Sequence, residues 1–156
     1  DIEPDDDAPA LRNRLATLGA KLLLETIHLL KRGKLTSLPQ DHSKASYAPP
    51  LKKEDGKIDW QRSARDIQNQ IRGTLPWPGA FTKVGDKLLK IFKSEMGAGT
   101  PPDPPGTVTD VSTSGITVAT GNGHLLMTEV QLQDRQRMAV AEFVKGSPIP
   151  AGTQLG

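Results

Sequence analysis

The chain has 156 residues, with 20 Lys and Arg against 18 Asp and Glu, a formal net charge of +2 and a sequence pI near 8.9. That length holds one domain with an appendage, or two small domains, and so mild a positive balance excludes the heavy basicity of a stand-alone nucleic-acid binder. The absence of cysteine excludes disulfides and thiolate zinc sites, no apolar run approaches the ~20 residues of a membrane span, and the acidic start is unlike a signal peptide, so the expectation is a cytoplasmic protein.

The first predicted element is a helix. Asp5-Asp6-Asp7 offers an N-cap and negative charge ahead of it, and Pro9 falls in the first turn, where its missing amide costs nothing. Leu11, Leu15, Leu18 and Leu22 recur at spacings of four, three and four, joined by Ile27 and Leu30. Lys31-Arg32 suit the negative end of the dipole and Gly33 ends the run. The prediction is one long amphipathic helix from about Ala8 to Arg32, roughly 37 Å long at ~1.5 Å per residue, whose apolar stripe needs cover. Leu35 to Lys57 follows without helical period and with a Pro49-Pro50 pair that favours extended backbone, which reads as a linker.

Both tryptophans fall between Ile58 and Thr82. Ser63-Ala64-Arg65-Asp66 has the form of a capping box, with the Ser63 hydroxyl taking the amide of Asp66 and the Asp66 carboxylate reaching back. Ile67 and Ile71 lie one turn apart, Gly73 is placed for a left-handed cap and Pro76 forbids continuation, which predicts a short helix from Ser63 to Arg72. Trp60, Trp77, Phe81 and Phe143 read as core, leaving Tyr47 and Phe92 as the aromatic rings available to a ligand.

Strands then take over. Gly79 to Val84 and Lys87 to Glu95 flank Gly85-Asp86, a two-residue hairpin signal. A Gly/Pro-rich loop from Met96 to Pro105 precedes three further strands, Gly106 to Ser112, Gly115 to Thr120 and His124 to Gln133. A last helix, Ala139 to Lys145, presents Val140, Phe143 and Val144 before Gly146 and Pro148. The inventory predicts a mainly β fold with flanking helices: a five-stranded OB-like barrel preceded by the long helix and the extended linker.

A search for chemistry finds no catalytic constellation. His28, His42 and His124 have no metal-ligand spacing and read as structural, Gly97-Ala98-Gly99 and Gly121-Asn122-Gly123 lead into no helix and so are not phosphate loops, and Asp59 beside Trp60 reads as a cap or ion-pair partner. Binding is a better prospect. Lys83, Lys87, Lys90 and Lys93 concentrate on the first hairpin, and Arg135 and Arg137 follow the last strand. Such cations neutralise phosphates without reading sequence, although lysines also protect exposed strands from pairing. By alternation Lys87 and Lys93 share a face that Lys90 does not.

Several separated motifs, in order, carry a resemblance. Ala10-Leu11, Leu18-Gly19-Ala20, Ala45-Ser46-Tyr47-Ala48-Pro49, Lys53-Glu54-Asp55-Gly56-Lys57, Ile58-Asp59-Trp60, Ile71-Arg72-Gly73, Pro76 to Thr82, Arg137-Met138 and Phe143 resemble the C-terminal region of bacterial methionyl-tRNA formyltransferases. The resemblance implies an enzyme that transfers a formyl group from 10-formyltetrahydrofolate to the amino group of methionyl-initiator tRNA for translation initiation. The family's catalytic Asn, His and Asp and its folate-binding segment belong to an N-terminal Rossmann-like domain expected before Asp1. This chain is therefore expected to be inactive alone, with no cofactor or metal of its own and with initiator methionyl-tRNA and that domain as partners. Residues 1–34 would be the last helix of the catalytic domain, 35–57 the interdomain linker and 58–156 the OB-like tRNA-binding domain. Carried across by motif, Lys52, Lys53 and Lys57 are the linker lysines that approach the tRNA, and Arg135 and Arg137 fall in a basic loop. There Asp134 and Gln136 replace positions often Gly and Lys. Two alternatives are the equivalent domain of a sugar-nucleotide formyltransferase and a free-standing OB-type interaction module. Arg137-Met138 followed by Glu142-Phe143, and the doubled Lys52-Lys53, favour the tRNA enzyme over the first, and the unpartnered leucine helix speaks against the second.

Overall fold

The computed structural model describes residues 1–156 other than 98, 100, 147 and 148. Ala98 of the Gly/Pro-rich loop and Pro148 after the last helix therefore lie outside the described residues. The chain divides into two compact units, Asp1–Leu51 and Lys52–Gly156.

In the first unit, α1 spans Ala8–Lys31. The Asp7 carboxylate accepts the Ala10 amide at 2.8 Å, while Asp6 instead binds the Arg14 guanidinium through both oxygens, at 2.9 and 2.6 Å. The helix ends as its glycine requires: Gly33 takes φ 64°, and the amides of Gly33 and Lys34 fold back onto the carbonyls of Leu30 and Leu29. Its apolar surface is wider than the predicted stripe. Leu22, Leu23 and Leu24 are consecutive and about 60% exposed each, so at 100° per residue they sweep past one face, and no residue of α1 is buried. The linker region adds one 3-10 turn, His42–Lys44, capped by Asp41. Ser43 donates to that carboxylate from its hydroxyl and its amide, which lowers the Asp41 pKa.

The second unit is a six-stranded antiparallel sheet with two helices. Its strands are β1 (Ala80–Val84), β2 (Lys87–Gly97), β3 (Val108–Val111), β4 (Ile116–Ala119), β5 (His124–Leu132) and β6 (Met138–Ala139); α2 is Ala64–Gly73 and α3 is Val140–Gly146. The order is β1-β2-β5-β4-β3, with β6 on β5. The predicted five-stranded barrel is thus corrected to an open sheet of six strands. The ladder does not run from β3 back to β1, and β6 is two residues long, too short to leave an alternating pattern. Both edges are instead lined by irregular chain. Ile58 N–H donates to the Phe81 carbonyl at 2.9 Å beside β1, and Thr153 and Gly152 bracket Val108 of β3 at 2.8 and 2.7 Å. Gly156 N–H reaches the Lys83 carbonyl at 3.2 Å.

The two-residue β1–β2 turn forms as predicted, with Gly85 at φ 57° in the position a type II′ turn reserves for glycine. Ile67 and Ile71 of α2 join Leu89, Ile91, Leu125 and Met127 in one core, closed by Val140 and Phe143 of α3. Ser63 caps α2, its hydroxyl accepting the Asp66 amide at 3.1 Å, but the Asp66 carboxylate accepts the Ser63 hydroxyl proton at 2.8 Å instead of reaching back to the Ser63 amide. Gly73 stays helical, and Thr74 ends the helix by donating its amide and hydroxyl to the Gln70 carbonyl at 3.0 and 2.8 Å. The left-handed residue comes later, at Gly79.

Candidate functional site

Lys52, Lys53 and Lys57 are built onto the second unit by a 3-10 turn, Lys53–Gly56. The Asp55 carboxylate accepts the Lys52 amide at 2.6 Å, and Gln70 Nε2 of α2 donates to the carbonyls of Asp55 and Lys57 at 2.8 and 3.0 Å. Gly56 lies so close to the Gly79 carbonyl and the Phe81 ring that a Cβ there would overlap the carbonyl oxygen. This close approach lets Lys57 pair with Phe81 along the outer edge of β1.

Cross-strand register then builds a row. Lys57 pairs with Phe81, Phe81 with Lys90 and Lys90 with Gln131. Residues directly opposite share a face. With strands ~4.8 Å apart, Lys57 and Lys90 flank Phe81 at a backbone separation of about 10 Å. Phe81, expected in the core, is half-buried on this outer face, because its neighbours Ala80 and Thr82 are the residues that point inward. Lys83, two residues along β1, is exposed on the same side, opposite Leu88.

Simple alternation along β2 placed Lys93 apart from Lys90, and the structure reverses this. The pairing of β2 with β5 shifts between Ile91 and Lys93, so that Phe92 is an extra residue on β2, and shifts back before Ser94. A bulge of one residue inverts the parity beyond it. Leu89 and Ile91 are buried, Lys90 is exposed, and Lys93 emerges on the exposed side with Lys90, opposite Glu129. Lys87, at the strand end, is also exposed.

Glu129 is the part of the site that sequence reasoning missed. Arg137 grips both its oxygens, at 2.6 and 2.9 Å, Lys93 approaches it at 3.7 Å, and the Arg137 guanidinium stacks 4.2 Å from the centre of the Phe92 ring. The hydrogen bond from Arg137 holds the Glu129 carboxyl below its ordinary pKa, against a smaller upward push from burial. The signal was present: Glu129 is an outward position of a strand paired with the one that carries Lys93 and with the short strand that Arg137 immediately precedes. Among the described residues, no salt bridge engages Lys57, Lys83, Lys87 or Lys90.

Arg135 belongs to the β5–β6 connection, whose shape is held from the strands. Gln131 Nε2 donates to the Arg135 carbonyl at 2.8 Å, and Gln133 and Leu88 pair through Gln133 N–H to Leu88 O at 2.8 Å. Asp134 adopts a left-handed φ of 61°, a conformation glycine takes without steric cost and aspartate tolerates. Trp77 requires a correction. Expected in the core, it is 60% exposed, because Pro76 and Pro78 have no N–H to give a ladder and the loop crosses the surface. Trp60 is buried as expected, its indole N–H donating to the Thr82 hydroxyl at 3.1 Å.

Chemically, the arrangement offers cations mounted on a hydrogen-bonded sheet. Among the described residues, no group of three or more His, Asp and Glu is placed to hold a metal ion, and no helix is long and apolar enough to cross a membrane.

Comparison with known proteins bears on this geometry. Residues 50–148 match the family described as formyl transferase, C-terminal domain. The chain is 47% identical over 156 residues to the methionyl-tRNA formyltransferase of Desulforamulus reducens, covering 99% of this chain and 49% of that protein. It is 44% identical over 155 residues to the methionyl-tRNA formyltransferase of Geobacter sulfurreducens, covering 99% and 48%. The chain thus spans about half the length of the curated relatives it matches. Among solved structures, HypX from Aquifex aeolicus in complex with tetrahydrofolic acid superposes with a TM-score of 0.58 at 21% identity, over 81% of this chain and 23% of that one. At that identity the likeness speaks to the fold alone.

Proposed function

The chain belongs to the formyl transferase C-terminal domain family, and from that premise we propose that it is the tRNA-docking part of a methionyl-tRNA formyltransferase. The observation that carries this is the cross-strand row. Register and one bulge put Lys57, Lys83, Lys90 and Lys93 on the outer face of the sheet, with Lys87 and Arg135 at its ends. Among the described residues, only Lys93 of the four meets a carboxylate, Glu129. An array of lysines mounted on a sheet suits attraction of a phosphate backbone. Lys52 and Lys53, fixed by Asp55 and Gln70, extend the same charge along the segment that enters the domain.

In this reading the formyl transfer from 10-formyltetrahydrofolate to methionyl-initiator tRNA belongs to the half of the relatives that this chain does not match. The exposed leucines of α1 are covered by that half. Arg137 braces the sheet through Glu129 and Phe92 and sets the array instead of adding to it. The rival reading, a sugar-nucleotide formyltransferase, has no need of an extended lysine row.

The test is an anisotropy titration of the chain with initiator tRNA at 50 and 200 mM salt. Four phosphate contacts give a log–log slope of about −3.6, so affinity is expected to fall on the order of 100-fold over that range. Reversal of Lys83 and Lys90 to Glu should weaken binding about tenfold or more and make the slope shallower by about two. Binding that ignores salt, or a double reversal without effect, would refute the reading.

A further inference from the structure

Most of the large apolar side chains of the second unit are buried or half-buried. Among its described residues only Trp77 and Met96 are large hydrophobics that stand out as exposed, at 60% and 51%. Trp77 is the bulkiest residue of the unit besides Trp60, and leaving it in water forgoes ~1.5–3 kcal/mol of burial, so its position asks for a reason.

Its frame is rigid. The loop is closed at its base by Gly79 N–H on the Thr74 carbonyl at 3.0 Å, Thr74 is tied to Gln70 of α2, and Pro78, next in the chain, is buried. Gln70 holds the Lys53–Gly56 turn as well, through the Asp55 and Lys57 carbonyls, and Gly56 touches Gly79. One small body therefore presents an exposed indole together with the exposed cations Lys52, Lys53 and Lys57.

We propose that Trp77 is a stacking platform for one unpaired nucleobase, with Lys52 and Lys53 meeting the flanking phosphates. This rests on the RNA-binding reading above and adds a single-stranded subsite to a surface otherwise suited to backbone contact. The observations favour a base over an apolar protein surface. A protein contact needs a contiguous apolar patch, whereas here one exposed ring is mounted on the same body as three exposed lysines. An exposed aromatic face combined with cations for the backbone is how proteins hold unpaired nucleotides without regard to sequence.

The two tryptophans make the test direct, because Trp60 is buried and the Trp77→Phe variant supplies its emission as background. A single-stranded RNA of about 12 nucleotides, within the span such grooves bind, is expected to quench Trp77 emission, while a blunt RNA duplex of equal length does not. Trp77→Ala should weaken single-strand binding about 5- to 100-fold with an unchanged salt slope, and Trp77→Phe should recover most of it. Unaltered Trp60 emission and melting temperature will show that Trp77→Ala still folds. Steep, salt-dependent tRNA binding with unquenched Trp77, or with Trp77→Ala as tight as the parent, overturns the stacking platform and leaves the docking reading intact. Loss of all RNA binding by the parent chain overturns both. In the full-length protein, a Trp77 already shielded from acrylamide before RNA is added would mean that the ring packs on protein, which also overturns the proposal.

Discussion

Replacing Arg137 by Gln separates bracing from RNA contact. The guanidinium makes two charge-assisted hydrogen bonds to Glu129, at 2.6 and 2.9 Å, and lies 4.2 Å over the Phe92 ring. The pair is partly screened, with side chains 45% and 23% exposed, which places its worth near the top of the range for surface pairs, about 1 kcal/mol. The ring contact adds ~0.5–1 kcal/mol. Arg137→Gln should therefore cost about 1.5–2 kcal/mol, a melting shift of roughly 6–12 °C for a unit of this size. A double-mutant cycle with Glu129→Gln, read by urea denaturation, should return a coupling near ~1 kcal/mol. The pH dependence gives an independent readout. Because Arg137 lowers the Glu129 pKa, its contribution is complete above the unfolded carboxyl value of about 4.3 and is lost as pH falls through the lower folded value. The deficit of Arg137→Gln should stay constant from pH 7 to about 5, then shrink toward the ring contact alone as pH falls through the lowered folded value. A coupling below ~0.3 kcal/mol, or a deficit that never shrinks on acidification, would refute the brace.

Two further substitutions probe how the site is mounted. Thr82→Val removes the acceptor of the buried Trp60 indole N–H at constant shape and should cost about 1–3 kcal/mol in urea denaturation, with Thr82→Ser restoring most of it. Gly56→Ala drives a Cβ into the Gly79 carbonyl and should cost about 2–4 kcal/mol, or release the Lys53–Gly56 turn, seen as faster amide exchange at Lys57 and Ile58; a Gly56→Ala protein as stable and as protected as the parent would contradict the packing.

Much of the fold was legible because its signals are local. Asp7 and Gly33 bound α1, Ser63 starts α2, Gly85 forms the hairpin, and the first five strands lie where alternation put them, within two residues at each end. Closure of the sheet was not legible. It depends on which edges meet, and β3 is four residues long with its edge taken by the chain around Thr153. Trp77 shows the same limit from the other side. Size and apolarity argue for burial, but two flanking prolines put the ring in a loop, and only the packed structure shows which way it faces.

For function, the residue types alone carried the lysines and the motifs of the formyl transferase C-terminal domain family. That much needs only identity and order along the chain. Which cations stand together was decided in three dimensions. One extra residue at Phe92 turns Lys93 to the side of Lys90, and a parallel bridge brings Lys57 two strands from it. The physical reason is that a side chain's face in a sheet is set by its pairing count from the nearest bulge, and the partner strand's hydrogen bonds fix that bulge from a distance in sequence.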